Sequence, residues 1–308
     1  MKPFSIAIHG GAGEVLAKNL NPDQQKEYHD ALSKAVDMGY AVLEKGGTAL
    51  DAVEAAVVDL ENCPLFNAAR GAVFNSDGKH ELDAAIMDGK TLGAGAICGV
   101  SSVKNPVKLA RKVMTDSQHV FLAGAGAAKF AKANGIEFEK DEYFFTQLRF
   151  DQLQEARATG QVALDHVKKF GTVGAVALDV HGNLAAATST GGMTNKMPGR
   201  VGDAPLIGAG TYANNKTCAV SATGHGEYMI RAVIGHLISS MMEFGGMPLD
   251  AAADRAVNQV LKQLGGEGGG VIAVDQQGNV AMPFNTEGMF RACRTSAGRV
   301  EIKMFGDY

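Results

Sequence analysis

Between residues 172 and 226 the chain gathers groups suited to covalent chemistry: Thr172 after Gly171, Thr188-Ser189-Thr190-Gly191-Gly192, Gly199-Arg200-Val201-Gly202-Asp203, and Thr223-Gly224-His225-Gly226. Hydroxyls are candidate nucleophiles, glycine N–H groups can approach an oxyanion, and arginine with a nearby aspartate can read a zwitterion. Taken as ordinary structure, Thr172 is a β-branched strand residue and the other hydroxyls belong to turns. Its position allows a second reading. Residues 137–170 are polar and charged whereas 171–178 are nearly continuously apolar, so Thr172 stands where a solvated linker meets a buried strand. A cut before it would leave a threonine with a free α-amine, nucleophile and base in one residue. The residues alone leave both readings open.

Other familiar chemistries lack their residues. The chain has no H-E-x-x-H, no zinc spacing among its Cys and His, no G-x-S-x-G elbow and no phosphate loop of the G-x-x-x-x-G-K-[ST] type. Its eight histidines are mostly isolated, which predicts surface or core roles. Leu122-Ala123-Gly124-Ala125-Gly126-Ala127-Ala128-Lys129 resembles half of a dinucleotide fingerprint, but Lys129 stands where glycine or alanine is required.

The elements that must position these groups belong to a globular chain. With 46% hydrophobic and 20% charged residues and a net charge of -4 over 308 residues, neither a disordered tail nor a basic nucleic-acid binder fits. Glycine is unusually frequent, 39 residues against 8 prolines, and it is clustered at junctions between apolar stretches rather than periodic, which points to tight turns and close approaches. Cys63, Cys98, Cys218 and Cys293 are widely spaced and are expected to be reduced thiols. The apolar run near the N-terminus is too short for a signal-peptide core and no run suits a membrane span, so a cytoplasmic location is expected.

Residues 4–8 read as a short buried strand. From Asp23, Leu32, Ala35, Val36, Gly39, Tyr40 and Leu43 recur at helical spacing until Gly46-Gly47, and Thr48 caps a second helix with Leu50, Val53, Ala56, Val57 and Leu60 as its apolar stripe. Hairpins are predicted over 73–82, 176–186 and 271–281, the last two sharing an Asp-x-x-Gly-Asn turn at Asp179 and Asp275. Further helices are predicted over 107–114, 126–134, 152–158, 227–243 and 249–264, with a surface helix and linker over 137–170. Antiparallel strands covered by helices imply a layered α/β architecture.

Ordered motifs run through the whole chain: His9-Gly10-Gly11-Ala12-Gly13, Pro64-Leu65-Phe66-Asn67-Ala68, Met87-Asp88-Gly89, Gly171-Thr172-Val173-Gly174-Ala175, the 188–203 and 223–227 stretches, and Pro283-Phe284-Asn285-Thr286-Glu287-Gly288-Met289. In these the chain resembles the plant-type asparaginases, or isoaspartyl peptidases, of the N-terminal-nucleophile hydrolase superfamily, the bacterial members above all. The resemblance implies a four-layer αββα sandwich forming one catalytic domain over 1–308. It also implies a precursor that cuts itself between Gly171 and Thr172 into 1–171 and 172–308. Cleavage would convert an amide nitrogen into an amine with a pKa of roughly 7.7 to 8.0, able to act as a base near neutrality.

By the same resemblance, Thr172 attacks the side-chain carbonyl of an aspartyl unit. Thr190 orients it, Thr223 and the Gly224 N–H form the oxyanion hole, and Arg200 and Asp203 bind the α-carboxylate and α-ammonium beside Gly226 and Asn67. L-asparagine and β-aspartyl dipeptides fit that scheme. Glycosylasparaginases resemble Asp-Thr at the cleavage site, where this chain has Gly171-Thr172. No cofactor is implied for catalysis, but a structural sodium ion is, held by backbone carbonyls of Leu60, Glu61, Cys63, Phe66, Ala68 and Arg70. A dimer of processed units is expected, with no nucleic-acid or membrane partner. One departure stands out: the family pattern N-A-G-x-G reads Asn67-Ala68-Ala69-Arg70-Gly71 here, so Ala69 is strained if that glycine has positive φ. That departure leaves a catalytically impaired member, or a nucleotide-binding scaffold, as the alternative.

Overall fold

The computed structural model describes residues 2–13, 20–159, 171–265 and 268–306. The chain runs β1 (Ser5–Gly13), α1 (Pro22–Glu44), α2 (Ala49–Asn62), β2 (Leu82–Asp88), β3 (Ala94–Val100), α3 (Pro106–Asp116), β4 (Phe121–Ala123), α4 (Gly124–Ala133), α5 (Asp141–Phe144) and α6 (Gln147–Thr159). It continues with β5 (Val173–Leu178), β6 (Leu184–Thr190), β7 (Thr211–Ala213), β8 (Cys218–Gly224), α7 (Gly226–Ala232), α8 (Ile234–Glu243) and α9 (Leu249–Arg255). The last strands are β9 (Gly269–Asp275), β10 (Val280–Ala281), β11 (Gly288–Thr295) and β12 (Val300–Phe305). One sheet has the order β12-β11-β1-β5-β6-β2-β3-β4 and is antiparallel except at β3–β4; the other has the antiparallel order β10-β9-β8-β7.

Period-two alternation explains why the central strands are almost wholly apolar. In β5, Ala175 and Ala177 pack with Leu32, Val36, Val53 and Val57 of α1 and α2, while Val176 and Leu178 share a second cluster with Ile272 and Val274 of β9. In β8 and β9, Val220, Ala222, Val271 and Ala273 turn instead to Ile234, Ile238, Ala252 and Val257 beneath α8 and α9. Both faces of these strands are therefore buried. No helix among the described residues is long and apolar enough to cross a membrane.

Local chemistry sets several boundaries. Thr48 caps α2 by accepting from the Asp51 N–H, and the capping box of Asn21 and Gln24 starts α1. The turns at Asp179 and Asp275 are built alike. Each Oδ1 accepts the N–H groups two and four residues on, and Gly182 and Gly278 take φ of 83° and 82°.

Three expectations need correction. Residues 73–82 form a turn over Asn75–Gly78 but no hairpin, because Phe74 joins an aromatic cluster with His80, Phe145 and Phe150 while Leu82 opens β2 against β3 and β6. The 227–243 helix is broken at Val233, whose φ of 48° frees the Gly235 and His236 N–H groups to donate to Ala209 and Gly208 carbonyls. The polar α6 is not simply a surface helix: Arg149 is buried and donates to the Gly71 and Leu65 carbonyls at 2.9 and 3.4 Å. The 160–170 part of the helix and linker expected over 137–170 lies outside the described residues.

Ala69 has φ 42° and is fully buried, so it does occupy the left-handed region. Glycine there would relieve about 1–2 kcal/mol of strain but give up about 1 kcal/mol of methyl burial and about 0.5–1 kcal/mol of backbone entropy. Ala69→Gly should therefore melt close to the parent. Ala56→Gly, in the helical core with no strain to relieve, should lose about 2 kcal/mol. Equal losses in thermal melts of the two variants would contradict a strained Ala69.

Candidate active site

Antiparallel pairing of β5 with β6 opposes Val173 to Ser189, so the end of β6 lies beside the residue that precedes β5. Eighteen residues of separation collapse to a hydrogen bond. The Thr172 Oγ1 donates to Thr190 Oγ1 at 3.1 Å, and Thr190 Oγ1 also accepts the Gly192 N–H at 2.9 Å. Both threonines are buried.

The Gly171–Thr172 junction is enclosed on two sides. A Cβ on Gly11, whose φ is +116°, would stand 2.5 Å from the Gly171 nitrogen, and one on Gly171 would stand 3.1 Å from Thr223 Oγ1. Thr223, fully buried at the end of β8, also accepts the Ala12 N–H at 3.3 Å. Gly224 follows with φ +134°, and a Cβ there would overlap the Gly268 carbonyl, so only glycine fits. Residues from β1, β6 and β8 thus converge on one peptide.

Arg200 and Asp203 meet at the start of α7. A Cβ on Gly226 would lie 2.9 Å from Arg200 Nη2 and 3.0 Å from Asp203 Oδ1, so glycine keeps this corner open. The two side chains do not pair with each other. Arg200 donates from Nε and Nη2 to the two carboxylate oxygens of Glu227, each at 2.9 Å, and His225 Nδ1 lies 2.9 Å from Glu227 Oε2. His225 and Arg200 together hold the Glu227 carboxyl far below the usual carboxylate range. Asp203 is buried with Oδ2 unpartnered, and burial pushes its carboxyl up to about 7 against the opposing pull of its own backbone N–H and of Arg200. A buried carboxylate oxygen without a partner suits an incoming ammonium.

Asn67 makes no hydrogen bond to Thr172. Its Oδ1 accepts the Val73 N–H at 3.0 Å and its Nδ2 donates to the Gly192 carbonyl at 2.7 Å, tying the 64–71 loop to the turn after Thr190. In that loop the Leu60, Phe66 and Ala68 carbonyls accept backbone N–H groups of Cys63, Ala68 and Gly71. Glu61 is fully buried at the end of α2, where Asn105 Nδ2 and the Val107 N–H donate to it, and burial lifts its carboxyl to about 7. Among the described residues no group of three or more His, Cys, Asp or Glu side chains could hold a metal ion.

The sequence profile described as Asparaginase matches residues 1–304. The chain belongs to the asparaginase family. It is 56% identical to the isoaspartyl peptidase of Escherichia coli (strain K12) over 294 residues, covering 93% of this chain and 91% of that protein. It is 55% identical to the isoaspartyl peptidase of Salmonella typhimurium over 299 residues, 95% of each chain. The isoaspartyl peptidase/L-asparaginase of Homo sapiens is 43% identical, covering 94% of this chain and 92% of that one. The resemblance carried by the ordered motifs therefore holds across the asparaginase family, bacterial relatives included.

Two site residues of this asparaginase-family chain escape a motif-by-motif reading. Glu227 sits one residue beyond Gly226 and reveals itself only through its grip on Arg200. His9 opens the first glycine cluster, yet its ring reaches Thr172: Nδ1 lies 3.0 Å from the Thr172 carbonyl oxygen and Nε2 2.9 Å from Ser221 Oγ. The Leu122 to Lys129 stretch builds β4 and the start of α4, with Gly124 at φ +49°.

Proposed function

We propose that this member of the asparaginase family is a self-cleaving threonine hydrolase of β-aspartyl dipeptides and of the side-chain amide of L-asparagine. The observation that carries it is the convergence on Thr172 of the Thr190 hydroxyl, the Gly171 junction and the Thr223-Gly224 corner, within a chain whose relatives bear those two activity names. Cleavage at Gly171-Thr172 frees the α-amine, which takes the proton from Thr172 Oγ1 as that oxygen attacks the substrate carbonyl. Thr223 and the Gly224 N–H stabilise the oxyanion, and the amine returns the proton to the leaving ammonia or amino acid. Water then releases aspartate from the acyl-enzyme. Arg200, with Nε and Nη2 turned to Glu227, presents its remaining Nη1 side to the substrate carboxylate, and Asp203 Oδ2 receives the α-ammonium. Gly226 keeps the corner open, and Asn67 holds the turn behind Thr190.

Three apolar clusters, one between the two sheets and one beneath each helical layer, support a four-layer αββα sandwich acting as a single domain. A cytoplasmic dimer of processed units completes this reading. A structural sodium ion in the 60–70 loop is also proposed. The fit rests on hard carbonyl oxygens of the kind alkali ions take, and on the buried Glu61 carboxylate, which a nearby cation would keep ionised. Melting should rise when choline chloride is replaced by equimolar sodium chloride, and identical melting in the two salts would remove the ion.

Purified protein should release ammonia from L-asparagine and aspartate from a β-aspartyl dipeptide, and Thr172→Ala should abolish both. Activity retained in Thr172→Ala would refute the nucleophile; an inactive parent would favour the impaired alternative. Because the Asp203 carboxyl titrates at about 7, it is protonated below that pH and cannot pair with an ammonium. KM for L-asparagine should therefore rise about tenfold for each pH unit below 7. In Asp203→Asn it should be high at every pH, and a KM flat from pH 8 to 5.5 in the parent would remove this role.

A further inference from the structure

We propose that His9 is a positioning residue for Thr172, held in one tautomer by a one-way chain of hydroxyl protons running from Thr188 through Ser221 to the imidazole and on to the Thr172 carbonyl. The inference rests on Thr172 being the nucleophile.

The geometry begins with a row of three residues across the large sheet. His9 of β1 pairs with Gly174 of β5, which pairs with Thr188 of β6. The middle residue has no side chain, and Ser221 from the second sheet fills the space. A Cβ on Gly174 would overlap Ser221 Oγ and come within 2.6 Å of His9 Nε2. Ser221 Oγ thereby reaches His9 Nε2 at 2.9 Å and Thr188 Oγ1 at 2.7 Å. Thr211, paired with Ser221 along β7–β8, places its Oγ1 2.7 Å from that of Thr188. All four side chains are fully buried, so water cannot reorient them.

Counting protons fixes the direction. A carbonyl oxygen only accepts, so the contact at Thr172 requires a proton on His9 Nδ1. Burial pulls the imidazole down to about 3, so near neutrality the ring carries one proton and Nε2 is a bare acceptor. Ser221 has a single hydroxyl proton and gives it to Nε2. Its oxygen must then accept from Thr188, and the Gly210 carbonyl near Thr188 keeps a donor in the Ala222 N–H. The far end is free to adjust, since Thr211 can donate either to Thr188 or to the Ala204 carbonyl. Thr172 is thus held at two of its own atoms, Oγ1 by Thr190 and the carbonyl oxygen by His9. Both atoms remain in residue 172 after cleavage, so the grip persists in the mature nucleophile and fixes its hydroxyl relative to the Thr223-Gly224 corner.

The test combines a spectroscopic signature with a kinetic split. Long-range proton–nitrogen correlation on histidine-15N-labelled protein should show His9 protonated at Nδ1 and bare at Nε2 at pH 7; the opposite tautomer, or an imidazolium, would overturn the chain. Ser221→Ala should shift the Nε2 resonance and lower kcat about tenfold with KM within about twofold, as expected for losing one buried hydrogen bond that orients the nucleophile. Thr188→Ser, which keeps the proton, should retain parental kcat, whereas Thr188→Val should follow Ser221→Ala. Parental kcat in folded Ser221→Ala would refute the role. The resonance of His9 in the parent decides the tautomer even if a variant fails to fold, and Thr172→Ala leaves that resonance protonated at Nδ1, so failure of the nucleophile reading is told apart from failure of the chain.

Discussion

The antiparallel register of β5 on β6 is the constraint from which the site follows. It sets Val173 opposite Ser189 and so brings the Thr190 hydroxyl to Thr172. A slip of one residue would send every side chain of β5 to the other face, moving Ala175 and Ala177 from the helical cluster into the one between the sheets. Ala175 and Ala177 face the helices while the larger Val176 and Leu178 face the second sheet, so a slip would overpack one cluster and leave voids in the other. Site geometry is therefore specified by core packing several residues away, and the hydroxyls inherit their positions from alanines and valines.

Around that register, glycine lets backbone and side chains meet where a methyl group could not stand. Gly11 lies against the Gly171 peptide, Gly174 admits Ser221 between two sheets, Gly224 lies against the Gly268 carbonyl, and Gly226 leaves room for Arg200 and Asp203. The glycine excess of the composition is shared between such close approaches and open turns at positive φ, such as those at Gly46, Gly182 and Gly246. Ala69 is the counterexample: a residue with a methyl group in left-handed backbone, kept in the loop whose neighbour Asn67 steadies the turn behind Thr190. Loop 64–71 is further braced by the guanidinium of Arg149, a buried charge whose partners are carbonyls and whose cost in desolvation is offset by those hydrogen bonds.

What could be read from the sequence was local or repeated. The Thr48 cap, the paired Asp179 and Asp275 turns and the two-sided burial of β5 all announce themselves within a few residues. The hydroxyls and charged groups of the site were legible only as ordered motifs. Features set by distant partners were not. The 73–82 segment has the turn chemistry of a hairpin but gives its apolar residues to an aromatic cluster and a third strand. The helix breaks at Val233, where the carbonyls of Ala209 and Gly208 claim the Gly235 and His236 N–H groups. Arg149 and His9 carry no local sign of burial, and the Arg200–Glu227 pair joins residues 27 apart in a way that spacing alone does not indicate.

The central claim is that Thr172 becomes an N-terminal nucleophile by cleavage of the bond before it. Intact mass of the purified chain after incubation at neutral pH, followed by N-terminal sequencing of the smaller product, addresses it most directly. Two species ending at Gly171 and beginning at Thr172 are expected. An unbroken chain of full mass that nonetheless hydrolyses L-asparagine, or a cut at any other bond, would contradict it.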